Sequence, residues 1–137
     1  MKLNYTIEGG NFSKAGYASS QVKKHLKQFN IESRLIKNIV VALYEAEVNI
    51  VAHADSGEIE VQITPGQVLV YAHDKGPGIP DVEKAMQEGY STASDEVRQM
   101  GFGAGMGLPN IKKNVDELDI DTLVGSGTTL KMIKNIV

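Results

Sequence analysis

Leu3 to Ile7 alternates apolar with polar positions and predicts a first strand. The period then lengthens. Behind Ser13, a residue type that caps helices, Ala15, Ala18, Val22, Leu26 and Phe29 recur at three- and four-residue steps and predict an amphipathic helix. Ser33 can cap a second helix over roughly 34–53, with Leu35, Ile36, Ile39, Leu43, Ala46 and Ile50 on one flank. From Glu58 to Ile63 charged residues alternate with β-branched ones, Pro65-Gly66 signals a turn, and Gln67 to Asp74 is the returning strand of a hairpin. Pro80 and Asp81 can open a short helix through Glu88, a polar, glycine-rich segment follows from Gly89 to Gly105, and a third long helix runs from about Met106 to Val115. A last hairpin pairs 118–124 with 128–136 around Gly125-Ser126-Gly127. These elements predict an α/β (α+β) two-layer sandwich, a mixed sheet covered on one face by helices with its other face wet or used by a partner.

The length of 137 residues fits one domain spanning 1–137, with no internal repeat or linker. A net charge of -3, with Lys and Arg spread along the chain, supplies neither a basic stripe for nucleic acid nor a polybasic membrane anchor. Polar residues interrupt the N-terminus before a signal-peptide core can form, and no apolar run approaches the roughly 18 residues of a membrane span, so the expected place is the cytoplasm. The absence of Cys excludes disulfide, thiolate and Cys-ligated zinc chemistry, and His25, His53 and His73 lack a metal-ligand spacing.

Candidate chemistry begins with Glu45 and Asn49. Four residues apart on a helix, they project from one side, so a carboxylate that accepts a proton and an amide oxygen that ligates Mg²⁺ can face one cavity. The same spacing is common on solvated helix faces. Asp74 ends an apolar strand, where a carboxylate needs a donor that an adenine amino group can provide, and Gly76 and Gly78 let backbone approach a flat base. Asp-x-Gly-x-Gly is also a plain surface turn. The glycines at 101, 103, 105 and 107 lead into a helix whose free N–H groups suit a polyphosphate. A flexible linker would read similarly, but Leu108-Pro109-Asn110-Ile111 resumes a helical pattern at once. Neither a P-loop nor a strand-borne dinucleotide fingerprint is present.

In order and spacing, Glu45…Asn49, Asp74-x-Gly76-x-Gly78, the Gly101–Gly107 run and Gly125-Ser126-Gly127-Thr128 resemble the N box, two glycine boxes and terminal Gly-x-Gly-Thr of the GHKL ATPases. The resemblance spans nearly the whole chain. It implies the Bergerat fold, with ATP and Mg²⁺ between helices and sheet under a mobile lid, here 89–105. Sensor histidine kinases usually carry Asn where Glu45 stands and Lys where Ala52 stands, and the gyrase, mismatch-repair and chaperone branches add transducer domains for which this length leaves no room. A domain of this size is similar to bacterial anti-sigma-factor serine kinases and stress-signalling switch kinases. Gly89-Tyr90-Ser91-Thr92, Gly105-Met106-Gly107-Leu108-Pro109 and Ile111-Lys112-Lys113 resemble the switch-kinase branch in particular.

That resemblance implies transfer of the ATP γ-phosphate to a serine of a STAS-class antagonist protein, with a sigma factor or phosphatase as a further partner. The implied roles are Glu45 as base, Asn49 on Mg²⁺, and Asp74 with Thr128 on adenine, flanked by Gly76 and Gly78. Gly101, Gly103, Gly105, Met106, Gly107 and Leu108 would line the phosphates. Glu47 points to another helix face and is the poorer base, while His53 reads as a structural or helix-dipole partner. An ATP-gated binding module without obligatory phosphorylation, or a bare ATPase, would share the pocket. A homodimer is left open.

Overall fold

A computed structural model describes residues 1–87 and 107–137 of the chain. The strands are β1 (Lys2–Glu8), β2 (Ser56–Ile63), β3 (Gln67–Asp74), β4 (Glu117–Leu123) and β5 (Gly127–Asn135). The helices are α1 (Tyr17–Leu26), α2 (Ser33–His53), α3 (Val82–Ala85) and α4 (Gly107–Asn114), with a 3-10 turn at Phe12–Lys14. The strands form one sheet in the order β1-β2-β3-β5-β4.

Period-two burial separates the two faces of this sheet. Ile59, Val61 and Ile63 of β2, Val68, Val70 and Ala72 of β3, and Leu130 and Met132 of β5 are buried. They meet Ala18, Val22 and Leu26 of α1, a long apolar side of α2, and Leu108 and Ile111 of α4 in one core. The alternate positions Lys2, Asn4, Glu58, His73, Asp119 and Asp121 are exposed. One face is therefore covered by helices and the other is wet, as the alternation predicts.

Every neighbouring pair of strands is antiparallel, which corrects the expectation of a mixed sheet. Two features of the chain path explain it. The β1–β2 connection carries two helices instead of the single crossover helix that joins parallel neighbours, so the chain turns back once more and β2 runs against β1. A parallel pair of β3 and β4 is prevented because β5 inserts between them.

The start of α1 differs from the sequence expectation. Ser13 does not cap it; its hydroxyl donates to Asn11 Oδ1 at 2.8 Å. The N-cap is Gly16, whose φ of 97° places it in the left-handed region, and the cap comes from another helix. Glu47 Oε2 accepts from Gly16 N–H at 3.0 Å and Ala18 N–H at 3.1 Å. Its Oε1 accepts from Ser19 N–H at 3.0 Å and Ser19 Oγ at 2.5 Å. These bonds satisfy the donors that a helix N-terminus leaves unpaired and neutralise the positive end of its dipole. Asp81, by contrast, caps α3 as its residue type predicts, accepting from the Lys84 N–H at 3.1 Å. The helix expected to run through Glu88 ends earlier, at Ala85, with Met86 as its C-cap and Gln87 no longer helical. The expected lid over 89–105 lies outside the described residues.

Candidate functional site

The site is built from two ends of the helix–sheet interface. At one, α2 runs beside α4. One side of α2 is buried, whereas Glu45 and Asn49 are only half-buried on the flank that meets α4. Their four-residue spacing puts them one turn apart on that flank, as predicted. Gly107 opens α4 directly against Asn49: a Cβ at Gly107 would stand 2.9 Å from Asn49 Oδ1 and 3.2 Å from Nδ2. Only glycine lets the two come so close. One turn further along α4, the Asn110 side chain hydrogen-bonds Glu45. The two helices thus match Gly107 to Asn49 and Asn110 to Glu45, and the N-terminal amides of α4 lie at the metal-ligand candidate.

At the other end, strand register collects polar groups on the helix-covered face. Gly57 pairs with Asp74, Asp74 with Thr128, and Thr128 with Thr122. The next inward row, Ile59, Ala72, Leu130 and Ile120, is apolar, so hydrophobic core gives way to a polar rim within one pleat. The Thr128 N–H donates to Asp74 Oδ1 at 3.2 Å, and the Gly76 amide also donates to that carboxylate. Thr122 Oγ1 lies 2.9 Å from Thr128 Oγ1 and accepts the Ile79 N–H at 2.8 Å.

The first glycine cluster is held at this rim. Gly78 has φ 79°, where an L side chain is strained, and a Cβ there would stand 2.6 Å from the Leu123 carbonyl oxygen. The β4–β5 turn completes the contact, with the Gly125 N–H donating to the Pro77 carbonyl at 2.8 Å. Asp74, Gly76, Gly78 and Thr128, read from separate stretches of sequence, therefore form one corner. Gly101, Gly103, Gly105 and Met106 lie outside the described residues; Leu108, a phosphate-lining candidate, is buried in the core. Its side chain is structural there, which leaves only its backbone for a ligand.

Electrostatics separate the acidic groups. Burial pushes the Glu45 carboxyl above its ordinary range, and the hydrogen bond from Asn110 partly reverses this. Burial likewise raises Asp74, opposed by the Thr128 and Gly76 amides and by His73 and His53. His53 is held below its ordinary value by burial, with the Asp74 charge pulling it back up. A half-buried carboxylate with a raised pKa in a cleft is suited to taking a proton or accepting a ligand hydrogen bond. Glu47 is 1% exposed and committed to the α1 amides, so it is unavailable as a base.

Two site residues escaped the sequence reading. Asn110 was legible only as part of a helical pattern, and Thr122 only as a strand residue. Thr122 could have been found by aligning β4 with β5, because the polar pair at the hairpin end stands out against Ile120 and Leu130.

Comparison with known proteins agrees with this geometry. A family model described as a histidine kinase-like ATPase domain matches residues 14–134. The chain is 34% identical over 100 residues to the serine/threonine-protein kinase RsbT of Bacillus subtilis (strain 168), covering 70% of this chain and 69% of that protein. It is 30% identical over 141 residues to the anti-sigma F factor of Thermoanaerobacter sp. (strain X514), covering 99% and 93%. Among solved structures, the RsbU and RsbW domains of a Mycobacterium tuberculosis protein superpose with a TM-score of 0.67 at 18% identity over 98% of this chain. The chain spans 32% of that longer protein. The mycobacterial sensor histidine kinase MprB gives a TM-score of 0.57 at 18% identity, covering 97% of both chains. At such identity the structures speak for the fold alone. The motif residues, the two groups they form along the helix–sheet interface and the family match converge: the chain belongs to the histidine kinase-like ATPase domain family.

Proposed function

We propose that this protein is an ATP-dependent serine-protein kinase of the anti-sigma type, which passes the γ-phosphoryl group to a serine on a small STAS-class protein in the cytoplasm. The observation that carries the reading is the flank of α2 where Glu45 and Asn49 stand side by side against the N-terminal end of α4, with Asp74 at the far corner of the same interface. Phosphoryl transfer depends on alignment and charge neutralisation, and this arrangement offers a proton acceptor, an oxygen ligand and a row of amides.

The donor set fits Mg²⁺. Asn49 offers a hard amide oxygen at the helix N-terminus. Among the described residues there is no cluster of three or more His, Cys, Asp or Glu side chains, so a cation here would draw most of its shell from phosphate and water oxygens. Bound there, the ion would neutralise phosphate charge. Asp74 would accept a hydrogen bond from the adenine amino group, beside Thr128. Gly107 and the first turn of α4 would receive phosphate oxygens.

Glu45 would take the proton from the serine hydroxyl. The serine oxygen forms its bond to the γ-phosphorus as the bond from that phosphorus to the β–γ bridging oxygen breaks, and ADP carries away the electron pair. A raised carboxyl pKa suits the acceptor role, since a base poised nearer neutrality transfers protons more effectively.

A second reading has its own support. The relatives named anti-sigma F factor cover 99% of this chain, which favours an ATP-gated module whose binding partner is a sigma factor. Turnover decides between them. Incubation with γ-labelled ATP and a STAS-class protein from the same genome is expected to yield a labelled serine. Nucleotide-dependent partner binding without label would favour the module, and phosphate release without a partner would favour a simple ATPase.

A further inference from the structure

The sheet ends in two edge strands, β1 and β4, and their outer sides differ. Unpaired N–H and C=O groups along an edge invite another strand, and proteins blunt such an edge with proline, a bulge or repelling charge. β4 has that protection: Glu117, Asp119 and Asp121 share its exposed face, so pairing it antiparallel with its own copy sets carboxylate against carboxylate. β1 has none. It contains no proline, keeps an unbroken register with β2, and carries one charge of each sign, Lys2 at its start and Glu8 at its end.

The backbone phase of β1 is fixed at its start, where the Met1 nitrogen donates to the Ile63 carbonyl at 3.0 Å and the Ile63 N–H donates to the Met1 carbonyl at 2.8 Å. Such an exchange recurs at every second residue of an antiparallel ladder, and the Gly9 N–H on the Asp55 carbonyl at 3.0 Å keeps the same phase. Odd-numbered residues therefore turn their N–H and C=O groups toward β2, and Lys2, Asn4, Thr6 and Glu8 turn theirs outward. Among the described residues, only the Glu8 carbonyl of this outward set has a partner, the Asn11 N–H at 3.3 Å. Two copies of β1 paired antiparallel must match even positions with even ones. The register centred on Tyr5 sets Lys2 opposite Glu8 of the second copy and Asn4 opposite its Thr6, each pair placed to exchange two hydrogen bonds, with Leu3 opposite Ile7 and Tyr5 opposite Tyr5. Sliding by two residues in either direction separates the opposite charges. The Lys2 ammonium already meets Glu60 at 3.1 Å, and its three donors can serve both carboxylates.

Aromatic surface continues this edge on the helix side. Burial and the neighbouring Tyr17 both raise the Tyr5 hydroxyl above its ordinary pKa, Tyr17 is 61% exposed, and the exposed Tyr44 ring lies against Gly16 at the start of the same helix. Exposed tyrosines of this kind favour an interface. We propose that the β1 edge binds a second copy of this chain, β1 against β1 about a two-fold axis through Tyr5, which joins two five-stranded sheets into one. β2 and β3 separate this edge from the corner formed by Asp74 and Thr128, so both candidate nucleotide sites stay open in the pair. The inference is independent of the nucleotide reading and stands or falls separately from it.

The test is sedimentation equilibrium of the wild type, Lys2→Glu, Glu8→Lys and an equal mixture of the two variants. The wild type is expected to be a dimer at about 100 μM, and a monomer at that concentration overturns the proposal. Each single variant sets like charges opposite each other at both ends of the paired strands and is expected to dimerise about tenfold more weakly. The mixture brings opposite charges together again, but only between chains, so association is expected to return to within about threefold of wild type. A dimer indifferent to both reversals, or a mixture no tighter than its components, overturns the β1 register. Tyr5→Cys gives a second measurement, since the chain has no other cysteine. Residues facing each other at a non-hydrogen-bonded position have Cα atoms about 4.5 Å apart, within disulfide reach, so mild oxidation is expected to link Tyr5→Cys into a covalent dimer and to leave Leu3→Cys, which would face Ile7, unlinked. Equal linking of the two variants, or none of either, overturns the proposal.

Discussion

The flank of α2 that meets α1 and the flank that meets α4 carry one glutamate each, two positions apart, and the two carboxylates live in opposite surroundings. Glu47 is enclosed and accepts four hydrogen bonds from Gly16, Ala18 and Ser19. Glu45 is half-buried, with the Asn110 side chain as its hydrogen-bond partner, and burial raises its pKa. A carboxylate fully supplied with donors holds structure together. One with part of its bonding capacity unused, facing a cleft, can accept a proton from something else.

The sharpest way to break this contrast is to make the same substitution at both positions. Glu45→Gln preserves shape and removes the proton acceptor, so transfer to a STAS-class partner should fall by about 10²–10⁴-fold while nucleotide affinity persists. Single-turnover phosphorylation beside calorimetry checks this. A wild-type transfer rate in the variant would remove Glu45 from the mechanism.

Glu47→Gln should act on stability instead. An amide has one oxygen where the carboxylate uses two, and its NH₂ would face donors at Gly16 and Ala18 or at Ser19. Loss of charge-assisted bonds to buried donors should cost about 3 kcal/mol. Urea denaturation would show this as a lowered midpoint, with Glu45→Gln nearly unchanged. Equal midpoints for Glu47→Gln and wild type would contradict the capping role.

This pair also shows where sequence stops being legible. Glu45 and Asn49 were readable because the helix period alone sets their relation, and Asp74 because it ends an apolar strand. That Glu47 faces away from them followed from the same period. Its partners did not, since the hydrogen bonds span 28 to 31 residues and depend on how α1 docks on α2. Ser13 looked like the cap of α1 because local residue preference was the signal available, and a tertiary carboxylate displaced it. Thr122 and Asn110 were missed for the same reason: one is defined by strand register and the other by a helix–helix contact. The antiparallel sheet required knowing that β5 separates β3 from β4, which no local pattern reveals.

The sheet end of the site sharpens the comparison next. Asp74→Ala removes the polar partner proposed for the adenine amino group and should weaken ATP binding by about 1.5–3 kcal/mol. Asn49→Ala should weaken nucleotide binding and turnover together, unlike Glu45→Gln, because a metal ligand acts in both states. Calorimetry in the presence of magnesium separates these cases. An Asp74→Ala variant with wild-type ATP affinity would remove Asp74 from the adenine contact.

The smallest expected effect concerns how Asn110 tunes Glu45. Its hydrogen bond favours the ionised carboxylate and opposes the upward push of burial, so Asn110→Ala should raise the Glu45 pKa further. A higher pKa leaves less deprotonated base on the acid side, which moves the acid limb of the transfer rate toward higher pH. The loss should be under about tenfold near neutrality and vanish once Glu45 is fully ionised. Stability carries the same sign. A folded-state pKa above the ordinary 4.5 means that the native state holds its proton more tightly, so stability declines as pH rises through the window above 4.5, and this decline should widen in Asn110→Ala. Glu45→Gln should abolish it. A pH–rate profile for Asn110→Ala that superimposes on wild type would show that Asn110 does not act through the base.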